Sequence, residues 1–169
     1  MFRWFMAPVL ILMATVTVLA QDTAPRFSQY SAAVVKGPAK AINFKKQPDA
    51  RSFRTRLSAA VTGGTNFAGH YIVVGWGCGT GCISGAIIDS LTGTVYWPEE
   101  FHSMGTGYDE TGYVDKPVEY RKNSRLFIIN GVPGSADEDA HAPQGTHYFE
   151  WKNNRLRLVR SIVKPSEKQ

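Results

Sequence analysis

Three hydrophobic rhythms divide this chain. After Arg3 an uncharged, mostly apolar run reaches Leu19. From Ala50 to Val61 the apolar residues Phe53, Leu57, Ala60 and Val61 recur on one helical face, while Arg51, Arg54 and Arg56 point elsewhere. This spacing predicts an amphipathic helix. Pro48-Asp49 marks its start, with Asp49 as the expected N-cap, and Gly63-Gly64 marks its end. Beyond the helix the rhythm is that of strands. "HYIVVGW" (70–76) and "ISGAIID" (83–89) are short and rich in β-branched residues. Residues 89–93 read as a tight turn with Gly93 left-handed, leading into a strand over 94–97.

Further strands are expected at 118–120 and 125–130, and a short edge strand at Ala41–Phe44. The best-determined piece is the last hairpin. A two-residue turn at Asn153-Asn154 sets Trp151 opposite Leu156 and Phe149 opposite Leu158, with Glu150 opposite Arg157 on the other face. Residues 98–116 and 131–145 have no period and read as long loops, the kind that often carry function. Residues 21–38 are weakly patterned and expected to be loosely held. The sum is an α+β fold: mainly antiparallel sheet with one amphipathic helix, stapled by one short disulfide loop. It forms a single domain over 39–163, followed by a tail at 164–169.

The leading run changes where this domain is expected to work. One positive charge, an apolar stretch and the small-residue ending Val18-Leu19-Ala20 describe a secretory signal peptide over 1–20, cut near Ala20. An uncleaved anchor is the alternative, but the run is short for a span of about 20 apolar residues. No later segment is long and apolar enough to cross a membrane. The expected location is the periplasm or the exterior. The whole chain of 169 residues carries a net charge of +5, which loss of Arg3 lowers by one. The cationic residues are spread out, with Lys45-Lys46 and Arg121-Lys122 as doublets. A nucleic-acid partner is therefore not expected.

The chemistry-bearing stretch is "GWGCGTGC" (75–82). In an exported chain with two cysteines, a structural Cys78–Cys82 disulfide is the default. A thiol-redox site would want two intervening residues and a helix at the first cysteine. A zinc site would need two more ligands nearby, and none is close in sequence. Trp76 beside this loop is either core or a platform for a sugar or partner protein. Trp76, Gly79, Thr80 and Gly81 are thus the candidate binding residues. His70 opens a strand and reads as structural. Asp137, Asp139 and His141 alternate as cation ligands can, but the glycine and closing glutamate of a calcium loop are missing. Glu99-Glu100, His102 and Asp109-Glu110 gather in the first long loop, where paired carboxylates could divide acid and base roles if differently buried. No nucleophile elbow, phosphate loop or dinucleotide fingerprint occurs. No catalytic residue, metal or other cofactor is expected.

Residues 53–96, with "NFAGHY", then "WGCG", a second cysteine and the hairpin "DSLTGTVY", resemble a family of small exported bacterial proteins mostly of unknown function. The resemblance implies a periplasmic, mostly β domain and lends no activity. In shape, the short disulfide-closed loop beside antiparallel strands is similar to Ivy-type periplasmic lysozyme inhibitors. There the loop carries a histidine and an acid, and Gly79-Thr80-Gly81 offers neither. The leading expectation is a non-enzymatic binding protein whose contact surface includes residues 76–82, with another periplasmic protein or an envelope polymer as partner. The alternatives are a hydrolase using acids of the 98–116 loop with His70 or His102, and a structural envelope protein without a discrete site.

Overall fold

A computed structural model describes residues 23–109, 112–134 and 143–163. The expected signal segment, Glu110, the trio Asp137, Asp139 and His141, and the tail lie outside the described residues. The fold is the expected α+β arrangement, with one main antiparallel sheet, one helix and a Cys78–Cys82 disulfide.

Strands β1 (Tyr71–Gly79) and β2 (Cys82–Asp89) form a long hairpin. Strand β3 (Thr94–Tyr96) pairs with one end of β2, and β4 (Met104–Thr106) with the other. A separate two-stranded ribbon, β5 (Tyr108–Asp109) with β6 (Gly112–Tyr113), precedes β7 (Val118–Tyr120). Strands β8 (Leu126–Val132), β9 (Gly145–Lys152) and β10 (Arg155–Val163) complete the order β1-β2-β4-β8-β9-β10. The short β4 is thus the bridge between two half-sheets. It pairs with β8 only through Gly105–Val132 and Thr106–Gly131.

The sheet curls until its two ends approach. The Tyr71 hydroxyl of β1 donates to Asn154 Oδ1 in the β9–β10 turn at 3.0 Å, and the Tyr71 and Trp151 rings meet edge to face at 5.3 Å. The concave face holds Phe67, Val73, Ile87, Phe101, Met104, Phe127, Ile129, Phe149, Trp151 and Leu156. Each half of the convex face has its own cover. Over the first half the helical segment buries Ala50 and Leu57 against Ile72, Ala86, Ile88 and Val95, with Phe53, Ala60 and Val61 beside them. Over the second half Ala24, Phe27 and Tyr30 lie on Leu126, Ile128 and Tyr148. Neighbouring residues Ile87 and Ile88 are therefore both core, on opposite faces. That explains why β2 reads as a nearly unbroken apolar run.

Four expectations change. Residues 98–116, read as one long loop, contain β4 and the β5–β6 ribbon, strands of two or three residues that are too short to show a period in the sequence. Ala41–Phe44 is not a strand; Ile42 joins the core under the helix, and Lys40 N–H donates to the Ser90 carbonyl. The apolar alternation there serves packing without a ladder. Asp49 is not the N-cap. A 3₁₀ segment, Pro48–Phe53, leads into α1 (Arg54–Gly63), and the residue before it, Gln47, turns its side chain to β3. Gln47 Nε2 donates to the Gly93 carbonyl at 2.9 Å, and its Oε1 accepts from Val95 N–H at 2.7 Å. That clamp fastens the helix start to the sheet. Residues 23–35, weakly patterned in sequence, are nonetheless bonded to the body. Ser31 bridges Ser124, Arg125 N–H donates to the Tyr30 carbonyl, and Val35 N–H donates to the Gly69 carbonyl.

The turns form as expected. Gly93 is left-handed at φ 74°, and Asn153 and Asn154 both have positive φ, the backbone of a tight two-residue hairpin turn. Trp151–Leu156, Glu150–Arg157 and Phe149–Leu158 are cross-strand pairs. Glu150 nonetheless bonds Arg125 on its other side, at 3.1 Å.

Candidate functional site

The β1–β2 hairpin outruns the helix that covers it, and the candidate site lies where the cover stops. Gly79 pairs with Cys82, leaving Thr80-Gly81 as the turn, and the register shifts between Gly77 and Gly79 so that Cys78 is the extra residue of a bulge. The disulfide closes across this bulge, with α-carbons 5.2 Å apart. Gly77, Cys78, Gly79 and Thr80 are exposed at the tip. Gly79 (φ 148°) and Gly81 (φ 66°) hold conformations that side-chain-bearing residues rarely adopt.

Behind the tip the two strands present different surfaces on their two faces. On the concave side Gly75 and Gly85 are paired, and the Phe101 ring rests against them. On the convex side the next pair, Trp76 and Ser84, forms the floor of a pocket of about 630 Å³. Phe53 at the end of the 3₁₀ segment stacks on Trp76 at 4.6 Å, and Trp97 meets both rings, at 5.3 Å from Phe53 and 6.2 Å from Trp76. Three rings from three separate segments thus form one aromatic wall. Cys78 of the disulfide closes one end, and Asp49, His102 and Ser103 stand at the rim.

Polar bonds fix the floor. Ser84, only 5% exposed, donates from Oγ to Cys78 Sγ at 3.4 Å and accepts from Ser103 N–H at 2.8 Å. Ser103 is held at φ 51°, a conformation uncommon outside glycine. Among the described residues, the Asp49 and His102 side chains have no hydrogen-bond partner.

The sequence-chosen residues therefore divide. Trp76 lines the pocket, half-buried, as both packing and platform. Gly79, Thr80 and Gly81 form the adjoining tip and do not line it. Phe53, Trp97, Asp49, His102, Ser103 and Ser84 join Trp76 in lining the pocket, and no local sequence pattern links them to it. The available signal was the aromatic density around "VYWP" and the helix's leading Phe53.

The other chemistry-bearing groups do not converge. His70 Nε2 lies 3.8 Å from Asp89 Oδ1, with its ring against Tyr71. Glu99 and Glu100 line a different cleft, beside Tyr96, Asn154 and Arg155. Burial raises the Glu100 carboxyl above its ordinary value. His102 sits on the aromatic pocket instead. Among the described residues no group of three or more His, Cys, Asp or Glu side chains is placed to hold a metal ion. No helix among them is long and apolar enough to cross a membrane. The chain matches no protein-family model, no curated protein and no solved structure.

Proposed function

We propose that this chain is an exported, non-enzymatic binding protein whose contact surface is the disulfide-clamped tip at 76–82 together with the pocket behind it. The observation that carries this reading is the coupling of the two. Cys78 belongs to both tip and pocket wall, and Ser84 ties its sulfur to the rim at Ser103. A surface held rigid before contact loses little conformational entropy on binding. The partner is another periplasmic protein or an envelope polymer. A structural protein without a discrete site would have little use for an open, aromatic-walled pocket. A hydrolase would draw on the raised Glu100, but Glu100 and His102 face different cavities and His70 stands beside Asp89.

The test is capture from the envelope fraction by the wild-type protein beside Thr80→Arg and Cys78→Ala/Cys82→Ala, each checked for folding. Thr80 is chosen because its flanking glycines cannot be changed without backbone strain. Loss of one specific partner in these variants supports the reading. Folded variants that capture the same material as wild type overturn it.

A further inference from the structure

The aromatic pocket has a chemistry of its own, and it narrows what the ligand can be. We infer that it is a saccharide site that takes an acetamido sugar, seated on the Trp76–Trp97–Phe53 wall and held at its edge by Asp49 and His102. The inference rests on the binding reading above and names the ligand class for the same site.

Two features of the pocket favour this occupant. A pyranose ring presents apolar C–H faces with polar groups around its equator, so it needs an aromatic wall bordered by hydrogen-bonding groups. The three rings pack at 4.6–6.2 Å into one cluster that leaves no gap for a cation to be enclosed among them, and all three line the pocket. The pocket's volume of about 630 Å³ lies within the range of about 300–1,000 Å³ usual for small-molecule sites. At the rim the chemistry is mixed. Asp49 offers an acceptor, and His102 offers a donor or acceptor according to its tautomer. Neither side chain is hydrogen-bonded to another described residue. An acetamido group matches that rim with its N–H and C=O and sends a methyl group toward the rings. An apolar side chain from a protein partner would fill the wall and leave Asp49 and His102 idle.

The backbone at the rim points the same way. Ser103 is kept at φ 51° by its bond to Ser84, which itself is fixed to the disulfide. Strain of this kind persists only where the surroundings over-determine it, and it gathers at ligand sites. Here it sets a small hydroxyl beside His102 on the pocket edge.

The experiment is a titration of the folded protein with the β-1,4-linked tetramer of N-acetylglucosamine, read by calorimetry and by tryptophan fluorescence. The α-linked glucose tetramer, which lacks the acetamide, is the control. Asp49 is exposed, so Asp49→Asn leaves the core untouched. It is expected to weaken the acetamido tetramer about tenfold, the scale of one charge-assisted hydrogen bond. Trp97→Ala, checked by circular dichroism, is expected to abolish both binding and the fluorescence change. Absence of binding by the wild type, equal binding of the two tetramers, or undiminished binding by Asp49→Asn overturns the inference. So does tight binding of the apolar dye anilinonaphthalene sulfonate that the acetamido tetramer cannot displace, which would assign the wall to an apolar protein side chain. Tip-dependent capture of a protein without saccharide binding would overturn this inference alone and leave the binding reading standing.

Discussion

The ring of Phe101 occupies the space in which Gly85 would carry a β-carbon. Any such carbon would overlap the ring and lie 2.6 Å from the Val74 carbonyl oxygen. Phe101 is itself 2% exposed and packs edge to face on Phe127 at 5.3 Å. Gly85→Ala is therefore expected to destabilise the fold by about 1–3 kcal/mol through overpacking, and Phe101→Ala by about 3–5 kcal/mol through a cavity. Combining Gly85→Ala with Phe101→Ala should cost less than the sum of the two single changes, because loss of the ring relieves the clash. Urea denaturation of the three variants measures this, and strict additivity would refute it.

Ser124 ties the first described segment to the second half-sheet. It is 1% exposed, its Oγ lies 2.9 Å from the Phe27 carbonyl and 3.1 Å from that of Tyr30, and it accepts from Leu126 N–H. Ser124→Ala should cost about 1–3 kcal/mol. Hydrogen exchange should report faster opening at Ala32 and Arg125, with little change at the β1–β2 hairpin.

The turn residue Asn154 has two roles, a left-handed backbone at φ 59° and an acceptor for Tyr71. Asn154→Gly keeps the first and loses the second, so its stability should fall within about 1 kcal/mol of wild type. Asn154→Ala loses both and should fall further, by about 1–2 kcal/mol. Thermal melts that rank alanine above glycine would contradict this geometry.

Burial raises the Glu100 carboxyl, its own backbone hydrogen bond opposes the rise, and the neighbouring Glu99 charge adds to it. The folded protein thus holds this proton more tightly than the unfolded chain. The stability it contributes is full below the ordinary carboxyl range and is lost as pH rises through the folded-state value. Glu100→Gln should therefore be more stable than wild type at about pH 7, with the advantage fading toward about pH 4. Denaturant midpoints at the two pH values decide the matter.

Opening the disulfide should cost little. Cys78 and Cys82 are separated by four positions, so closure restricts the unfolded chain by only about 2 kcal/mol. Cys78→Ala/Cys82→Ala should remain folded while the Trp76 fluorescence environment changes, because the bulge beside the pocket is no longer fixed.

What could be read from the sequence was local. The terminal hairpin was legible because its period-2 alternation and its Asn-Asn turn agree on one register. The helix face was legible because Phe53, Leu57, Ala60 and Val61 share one period, and the disulfide because two cysteines stand four apart. Contacts that depend on a third element were not. Glu150 opposes Arg157 but bonds Arg125, since β8 flanks β9 on its other edge. Gln47 reads as a loop residue until β3 arrives beside it. The pocket fails for the same reason: Phe53, Trp76 and Trp97 belong to three segments, and no spacing within any one of them shows that they meet.

The strap over the second half-sheet sets an order of assembly. Phe27 and Tyr30 leave the ribosome early, yet their partner Ser124 lies 97 and 94 positions further along the chain. Closing so long a loop has to wait until β8 exists, and non-local pairings of this kind form slowly. The β1–β2 hairpin is local and can zip and oxidise on its own, on the microsecond scale for the zipping. The strap, made before either half-sheet, is therefore seated late, and any product truncated short of β8 leaves both of its aromatic rings without their sheet partners.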